Sequence, residues 1–376
     1  MKKRSAGIIA ILLLSFAVIF GTDPFGMLTT DVPEVTPITD EPGLISANGG
    51  VTRVVSAPAD WYEIYFTNPT CPPEEERTGG LDEIVADSIS DAAVSVDVAA
   101  FDLDAPPIVN ALIDLEKRGI PVRIVTDTDN ADLSAINRLR RNGISVVEDK
   151  RSALMHNKFI VIDNRYVWMG SMNLTTNGVY CNNNNFVKFD VPQLAANYTV
   201  EMDEMYIDRE FGPTSSENTP YEQFTVQGVL LENYFAPEKK LAPIIAAEIA
   251  GARRDIRFMA FSFTNDEIGE AMLERADAGI SVRGVFETVG ADTDYGYYPV
   301  LRDAGISNIN VRLDGNSRIM HHKVIILDNQ TVIFGSFNFT DSANRQNDEN
   351  VIIVHDPTFA GYFLQEFDAV WSEATP

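Results

Sequence analysis

The chain contains the same pattern twice. The first copy begins at His156 and the second at His321, and both read His-x-Lys, four apolar residues, Asp, and later Gly-Ser-x-Asn. The spacing between successive members of the pattern is identical in the two copies. Such a repeat predicts a chain built of two equivalent halves, each contributing the same set of polar side chains.

Each copy is expected to fold as a hairpin with its polar residues at one end. His and Lys lie two positions apart on a buried strand and therefore point to the same face. Asp163-Asn164 and Asp328-Asn329 are turn formers, so the apolar run that follows should return and bring Gly-Ser-x-Asn back beside the histidine. Glycine permits close backbone approach there, while Ser and Asn can hydrogen-bond a phosphate.

These residue types favour phosphodiester chemistry. An imidazole can act as a nucleophile or as an acid–base group near neutral pH, and a lysine is a point charge suited to a phosphate oxygen. The candidate catalytic residues are His156, Lys158, Asp163, His321, Lys323, Asp328 and Glu349, and the candidate substrate-binding residues are Ser171, Asn173, Asn184, Ser336 and Asn338. For the two aspartates, the turn position favours a structural hydrogen bond or salt bridge over proton transfer.

Both patterns are complete HKD motifs, and the chain resembles the phospholipase D superfamily from about Tyr65 to the C-terminus. The resemblance implies an α/β fold with two similar sandwich lobes related by a pseudo-twofold. Mixed sheets would be flanked by helices, with one active site at the lobe interface. It also implies phosphodiester hydrolysis through a phosphohistidine without a metal or other cofactor. His156 would be the nucleophile and His321 the acid, although spacing alone does not assign these roles.

The two halves differ eleven residues after the last motif asparagine, where one has Glu349 and the other Asn184. In the family, a Glu or an amide at this place orients a catalytic histidine, often across the lobe interface. The resemblance therefore implies a carboxylate partner for one histidine and an amide for the other. A carboxylate stabilises an imidazolium, whereas an amide orients it without adding charge. A polar surface loop is the alternative for Asn184.

Segments outside the motifs repeat as well, with Phe101 and Phe261 separated by 160 residues and the motif histidines by 165. Strands alternating with helices predict an α/β sandwich. The predicted parts are a signal or anchor (1–25), a flexible spacer (26–55), a first lobe (56–210), a linker (211–225) and a second lobe (226–376). An insertion near Asp292–Tyr298 carries three tyrosines and is expected to be a surface loop, with a substrate mouth as the alternative.

The N-terminus predicts export. Lys2-Lys3-Arg4 precedes an apolar run from Ala6 to Phe20, which is typical of a signal peptide. Without a clean cleavage site an uncleaved anchor is the alternative, so we expect the protein to be secreted or held on the outer face of the cytoplasmic membrane. Cys71 and Cys181 are too few for a disulfide framework or a structural zinc site, but export would allow them to pair.

Composition bears on the partners. The formal net charge of -26 argues against nonspecific binding to long nucleic acid, which depends on Lys and Arg, but it does not exclude a locally basic cleft. A phospholipid or another phosphodiester is the expected substrate, with contact to a membrane surface, for a protein acting as a monomer. A secreted nuclease that cleaves DNA or RNA with the same two histidines is the alternative. A non-catalytic binding protein is disfavoured because both motifs are intact.

Overall fold

The computed structural model describes residues 59–376 and, before them, the short strands β1 (Leu44–Ile45) and β2 (Thr52–Val55). The predicted signal or anchor (1–25) lies outside the described residues, as does most of the predicted spacer. The two described segments of that spacer pair antiparallel with each other, and β2 pairs with the next strand of the chain. These two segments of the predicted spacer are therefore part of a sheet.

The first half continues with strands and helices in alternation. Its strands are β3 (Tyr62–Phe66), β4 (Val96–Ala100), β5 (Val122–Thr126), β6 (Ser145–Glu148), β7 (Lys158–Ile162), β8 (Tyr166–Gly170), β9 (Asn182–Asn183) and β10 (Asn185–Asp190). Its helices are α1 (Leu81–Ser90), α2 (Pro106–Lys117), α3 (Ser134–Arg141), α4 (Thr176–Tyr180) and α5 (Pro192–Asp203).

The second half repeats this order. Its strands are β11 (Gln223–Val226), β12 (Val229–Ala236), β13 (Asp255–Ala260), β14 (Ser281–Phe286), β15 (Ile309–Leu313), β16 (Ile319–Met320), β17 (Lys323–Leu327), β18 (Thr331–Gly335) and β19 (Glu349–His355). Its helices are α6 (Leu241–Gly251), α7 (Asp266–Asp277), α8 (Tyr297–Arg302), α9 (Asp341–Arg345) and α10 (Pro357–Glu373). The first strand of this half begins inside the predicted linker (211–225).

Two large mixed sheets carry the fold. One has the order β1-β2-β3-β10-β8-β7-β4-β5-β6 and the other β11-β12-β19-β18-β17-β13-β14-β15. The strands from β3 to β6 in the first order match those from β12 to β15 in the second, one for one. In both, the two pairs at the far edge are parallel and the motif hairpin is antiparallel. The predicted α/β class with two similar lobes is confirmed.

A shared core joins the two halves. It contains apolar side chains from the inner faces of both sheets and from α5 and α10. The rings of Tyr198 on α5 and Phe235 on β12 have centroids 5.0 Å apart, and those of Phe363 on α10 and Phe66 on β3 have centroids 5.1 Å apart. Each of these two helices therefore packs against a strand of the opposite half, and the core fixes the two sheets relative to each other.

Successive side chains of the motif strands point alternately into two hydrophobic cores. In β7, Phe159 and Val161 face the shared core, whereas Ile160 and Ile162 face the outer core that the sheet forms with α1, α2 and α3. This is the period of two that a strand buried on both faces produces. The continuous apolar run between Lys and Asp in each motif is thereby explained.

Both motif hairpins turn through residues with positive φ. Asp163 and Asn164 have φ of 57° and 53°, and Asp328 and Asn329 have φ of 55° and 59°. Two consecutive left-handed residues match the right-handed twist of the flanking strands, and Asn and Asp tolerate this conformation better than other non-glycine residues. The predicted hairpins are present in both halves.

The described helices differ in length and polarity, α10 being the longest at 17 residues. None of those in the described part of the chain has the length and apolar character needed to cross a bilayer.

Candidate active site

Each motif histidine lies two residues before its strand and is held by the backbone of the other half. The His156 N–H donates to the carbonyl of Asp348 at 2.9 Å, and the His321 N–H donates to the carbonyl of Asn183 at 2.9 Å. The second contact continues a short parallel pair between β16 and β9. Main-chain bonds between the two halves therefore set the position of both histidines.

The imidazoles are held from the opposite half as well. His156 Nδ1 lies 2.8 Å from Glu349 Oε2, and that oxygen also accepts the Ser336 hydroxyl at 2.6 Å. His321 Nδ1 lies 3.0 Å from Asn184 Oδ1, which accepts the Ser171 hydroxyl at 2.9 Å. With Nδ1 engaged on both rings, Nε2 is the nitrogen available for chemistry.

Asn184 is fully buried, with 0% of its surface exposed. Its amide group also donates to the carbonyl of Gly178 at 2.8 Å. The alternative of a polar surface loop at this position was therefore wrong. The asymmetry predicted from Glu349 and Asn184 is present in the geometry, with each residue reaching across to the histidine of the other half.

The motif lysines lie next to the histidines. Lys158 Nζ donates to the carbonyl of His156 at 2.6 Å, and Lys323 Nζ donates to the carbonyl of His321 at 2.8 Å. Each ammonium also lies over a phenylalanine ring, 5.0 Å from the centroid of Phe101 for Lys158. Both lysines are buried at the base of the site.

Burial and mutual repulsion favour the neutral forms of these bases. Burial, opposed by Glu349 and reinforced by Lys158, lowers the pKa of His156 to about 4. Burial lowers the pKa of Lys158 to about 7. Burial, together with the charges of both lysines and of His156, places the pKa of His321 well below its ordinary value. An anion bound among them would relieve this repulsion and raise all of these pKa values.

One acid lies within this basic group. Burial acts to raise the pKa of Glu349, but the charge and hydrogen bond of His156 and the charge of Lys158 outweigh it, so the pKa is lowered. Glu349 therefore stays ionised beside His156. His321 has no comparable carboxylate bonded to its ring, because its partner is the amide of Asn184.

The Gly-Ser-x-Asn segments complete the site. A Cβ at Gly170 would lie 2.4 Å from the carbonyl oxygen of Asn185, and one at Gly335 would lie 2.2 Å from that of Asn350, so glycine is needed at both places. The side-chain amide oxygens of Asn173 and Asn338 are buried without a hydrogen-bond partner. Because a phosphoryl oxygen is itself an acceptor, the NH₂ groups of these two amides, and not their oxygens, are the atoms that could hold it.

Asp163 and Asp328 do not join the site, so their inclusion among the catalytic candidates is corrected here. Asp163 accepts backbone N–H groups of Ala93, Val94 and Ser95 at 2.7–3.1 Å. Asp328 accepts those of residues 253–255 at 2.7–3.1 Å. Each aspartate lies five positions after its lysine, or roughly 16 Å away at the usual rise per residue. They fix the hairpin turns, in agreement with the structural interpretation.

Two further acids position the histidines and were missed in the sequence. Asp127 accepts the Met155 N–H at 2.9 Å, and Glu287 accepts the Met320 N–H at 2.6 Å, in each case one residue before the histidine. They are 160 residues apart, the same offset as Phe101 and Phe261. That repeated offset was the signal that could have identified them.

A second polar layer lies behind the histidines. Asn157 donates to Glu201 at 3.0 Å and accepts from Asn350 at 2.7 Å. At the equivalent positions of the other half, His322 contacts Glu366 at 3.1 Å and Asn185 at 2.9 Å. All of these residues are buried. The layer locks the two motif strands together and, like Asp127 and Glu287, could have been found from the repeat offset.

Two segments reach across to the opposite half, one carrying Asn184 and the other Glu349, and we call them the crossing segments. A disulfide holds the first of them in place. Cys71 and Cys181 are bonded, which the sequence left open. Cys181 lies directly between α4 and β9, three residues before Asn184. On the segment that carries Glu349, Asp348 forms an ion pair with Arg151 of the opposite half.

Two groups of acids have spacing that could hold a cation. Within the described residues these groups are Glu232, Glu248 and His355, and Glu201, Glu204 and Glu238. Neither group contains a motif histidine or lysine. Glu201 belongs to the second layer through Asn157, and His355 is paired with Glu232 at 2.8 Å.

The chain is similar in sequence to known proteins. The mitochondrial cardiolipin hydrolase of Chlamydomonas reinhardtii is 36% identical over 123 residues, which are 33% of this chain and 54% of that protein. The phospholipase D of Rickettsia bellii is 32% identical over 133 residues, which are 35% of this chain and 65% of that protein. The chain therefore spans about half to two thirds of the length of these curated relatives.

A solved structure extends the likeness in fold across both halves. Phosphatidylserine synthase of Haemophilus influenzae superposes with a TM-score of 0.63 at 13% identity, over 79% of this chain and 86% of that one. The family model described as cardiolipin synthase, PLD-like domain, matches residues 85–206 and 245–371, which together are more than half of the chain. The chain belongs to this PLD-like family of the phospholipase D superfamily.

Proposed function

We propose that this protein is a phosphodiester hydrolase that cleaves phospholipid head groups through a covalent phosphohistidine. The observation that carries the proposal is the pair of buried histidines, each bonded at Nδ1 to a residue of the opposite half. Two imidazoles presented in this way can divide the reaction into two displacements at phosphorus. Because one chain supplies both, we propose that it acts as a monomer.

In the first displacement, Nε2 of His156 attacks phosphorus and the bond to the leaving alcohol breaks. His321, protonated when the anionic substrate binds, gives its proton to the leaving oxygen. The new phosphorus–nitrogen bond leaves a positive charge on the ring of His156. Glu349, 2.8 Å from Nδ1 of this ring, stabilises that charge.

In the second displacement, the now neutral His321 takes a proton from water, and the water oxygen attacks phosphorus. The phosphorus–nitrogen bond breaks and the electron pair returns to His156. Lys158, Lys323, Asn173 and Asn338 hold the phosphoryl oxygens throughout, where negative charge accumulates in both transition states. No step in this sequence requires a metal ion.

Two observations favour a lipid substrate. The relatives carry the names cardiolipin hydrolase and phospholipase D. The net charge of -26 disfavours the backbone of a long nucleic acid. We propose that the protein works outside the cytoplasmic membrane, secreted or anchored at its outer face, as its N-terminal sequence indicates.

The test is turnover by the purified full-length chain in detergent. Phosphatidylcholine, cardiolipin and single-stranded DNA are offered separately, with EDTA present and with His156→Asn as the inactive control. We expect release of the lipid head group in EDTA by the wild type and none by the variant. Cleavage of DNA with neither lipid attacked would replace the lipid proposal by a nuclease. Activity that disappears in EDTA and returns with a divalent cation would contradict the chemistry.

A further inference from the structure

Three side chains that can bind a metal lie together on the outer face of the second sheet. They are Glu232 on β12, His355 on β19 and Glu248 on α6. Tyr234 and Ile353 belong to the outer core that this sheet forms with α6 and α7, and the strand period of two places Glu232 and His355 on the same face. One ligand atom from each of the three side chains lies within 4.8 Å of the other two.

The ring of His355 is oriented as a metal ligand would be. Its Nδ1 lies 3.1 Å from the Thr331 hydroxyl oxygen, and its Nε2 lies 2.8 Å from Glu232 Oε1. A histidine that binds a metal commonly donates the N–H of its other ring nitrogen to an oxygen, which fixes the tautomer and the ring plane. The Thr331 hydroxyl can accept from Nδ1, which leaves the Nε2 lone pair for a metal. The His355 side chain is 25% exposed, so an ion and a water molecule can reach it from solvent.

The two carboxylates have oxygens available for an ion. Glu232 is fixed through Oε2, which accepts the Tyr234 hydroxyl at 2.6 Å and the Gln223 amide at 2.8 Å. In the part of the chain that the structure describes, its Oε1 contacts the His355 ring alone. Glu248 is half-buried and makes no hydrogen bond or ion pair with any other described residue. Burial and the charge of Glu232 raise the pKa of Glu248, so a cation placed between them would relieve an unfavourable arrangement.

The first half of the chain balances its acids at this place with its own side chains. Strand pairing makes Glu63 and Asp190 equivalent to Glu232 and His355. Glu63 pairs with Lys188 at 3.1 Å, and Asp190 pairs with Arg165 at 2.6 Å. The second half has Ile353 and Gln330 in place of these two cations.

The second half also has more ligands than the first. Glu248 occupies the position on α6 that Ser88 occupies on α1, counted from the first residue of each helix. The described residues of the second half therefore place two carboxylates and an imidazole together and offer no Lys or Arg partner to either carboxylate. A bound cation would supply the positive charge that Lys188 and Arg165 supply in the first half.

The donor set favours zinc over the harder cations. Calcium and magnesium prefer sites made of oxygen alone, whereas an imidazole beside carboxylates suits zinc. Ligand atoms of one zinc ion lie about 2.0–2.2 Å from it and therefore roughly 3.3 Å from one another. The observed separations, 2.8 Å for His355 and Glu232 and at most 4.8 Å within the cluster, approach this value to within roughly 1–1.5 Å.

We propose that this cluster is a zinc site in which His355 Nε2, Glu232 Oε1 and one carboxylate oxygen of Glu248 bind the ion, with water as the fourth ligand. Zinc takes the place of the proton between His355 and Glu232, and that proton is released to solvent. The ion ties α6 to β12 and β19. His355 lies six positions after Glu349, or roughly 20 Å along β19, so the site is structural and the inference does not depend on the proposed function.

The test is calorimetric titration of ZnCl₂ into the full-length chain in detergent, after EDTA treatment and dialysis. We expect one ion per chain, and Glu248→Gln should weaken binding by at least about tenfold. Glu63→Gln is the matched control, because it alters the equivalent acid of the first half, and its affinity should stay within about twofold of wild type. Circular dichroism shows that each variant is folded. Absence of binding to the wild type, or equal affinity in wild type and Glu248→Gln, would overturn the inference.

Two further readouts separate this site from the motif histidines. X-ray absorption at the zinc edge should show one imidazole per ion, and His156→Asn should bind zinc as the wild type does. Two imidazoles, or loss of binding in His156→Asn, would place the ion in the active site and overturn the inference. Zinc should raise the unfolding temperature of the wild type but not that of Glu248→Gln. A chain that binds zinc at this site but hydrolyses no lipid would leave the inference intact while overturning the proposed function.

Discussion

The His156 side and the His321 side of the site use the same geometry and different charges. On one side a carboxylate, Glu349, meets Nδ1 at 2.8 Å, and on the other an amide, Asn184, meets it at 3.0 Å. A serine hydroxyl fixes the partner oxygen on each side, at 2.6 Å and 2.9 Å. The two sides therefore have the same arrangement of hydrogen bonds, but only His156 has a charged partner.

The difference suits two different tasks. A histidine bonded to phosphorus carries a positive charge until the intermediate is hydrolysed, and a neighbouring carboxylate stabilises that state. A histidine that gives up a proton and then takes one back must not hold it too firmly. An amide orients His321 and adds no charge beside it, so in the proposed mechanism the bound substrate would control when this ring is charged.

The largest expected effect separates the two histidines. His156→Asn should abolish the phosphoenzyme and lower turnover by about 10⁴-fold or more, because the nucleophile is lost. His321→Asn should still form the intermediate from a substrate whose alcohol leaves without protonation, and should hydrolyse it slowly. Mass spectrometry of the trapped enzyme, kept out of acid because a phosphorus–nitrogen bond is acid-labile, locates the phosphate. Phosphate on His321 would reverse the two roles while leaving the two-histidine mechanism standing.

The partners should follow with a smaller effect. Glu349→Gln removes the charge beside His156 and should slow formation of the intermediate roughly 10- to 100-fold, whereas Asn184→Ala should affect this step less. Rapid-quench measurement of phosphoenzyme formation with a good leaving group isolates the step. Equal effects of the two substitutions would show that charge at Glu349 does not matter there.

A charge introduced at position 184 tests the same difference between the partners of the two histidines. Asn184→Asp should raise the pKa of His321 and move the pH dependence of turnover to higher pH. The substitution nearly preserves size but removes the N–H donor that meets the Gly178 carbonyl, so urea unfolding of the variant is measured first to show that it is folded. A pH profile identical to that of the wild type would mean that a charge at position 184 does not change the pKa of His321 during turnover.

Removing the contact that holds each crossing segment should impair the histidine that this segment contacts. Cys71→Ser with Cys181→Ser should lower the free energy of unfolding by about 2–5 kcal/mol. It should also lower turnover several-fold for substrates whose leaving group His321 must protonate. The reason is that Cys181 holds the segment that carries Asn184. Arg151→Gln loosens Asp348 instead and should reduce labelling of His156. Urea unfolding and a leaving-group series are the measurements, and a disulfide variant impaired equally on every leaving group would contradict this assignment.

The smallest effect concerns pH and stability. The pKa of Lys158 is lowered to about 7, below the ordinary value of an unfolded lysine, so between pH 7 and 9 the unfolded chain binds more protons than the native one. This group's contribution to stability therefore increases as pH rises, by up to about 1.4 kcal/mol per pH unit. The difference in unfolding free energy between wild type and Lys158→Met should show this slope. A flat difference would mean that Lys158 remains charged in the free protein.

Local patterns made the hairpins and the motif faces predictable. Asp-Asn turns, four apolar residues and a His-x-Lys pair each act over a few residues, so strand period and turn chemistry are enough to place them. The cross-interface role of Glu349 came from the family pattern and not from spacing.

Other features depend on which side chains meet after the sheets have packed. The exposure of Tyr295 and the burial of Tyr297 and Tyr298 follow from how α8 docks on β14, which the three tyrosines alone do not indicate. Asn157 and His322 occupy the variable position of the motif. No pattern in the neighbouring residues indicated that they would be buried against Glu201 and Glu366. The strand at Thr52–Val55 was hidden because the surrounding Pro- and Thr-rich sequence is typical of a spacer.

The crossing of partners also orders events during folding. His156 and Glu349 are 193 residues apart in sequence, and His321 and Asn184 are 137 apart. Contacts of such separation require the closure of very long loops and form late compared with hairpins and helices. A chain emerging from synthesis can complete most of its first sheet while neither histidine has its partner. Recovery of activity during refolding should therefore lag behind recovery of secondary structure, and enzymatic competence becomes a report on the final docking of the two halves.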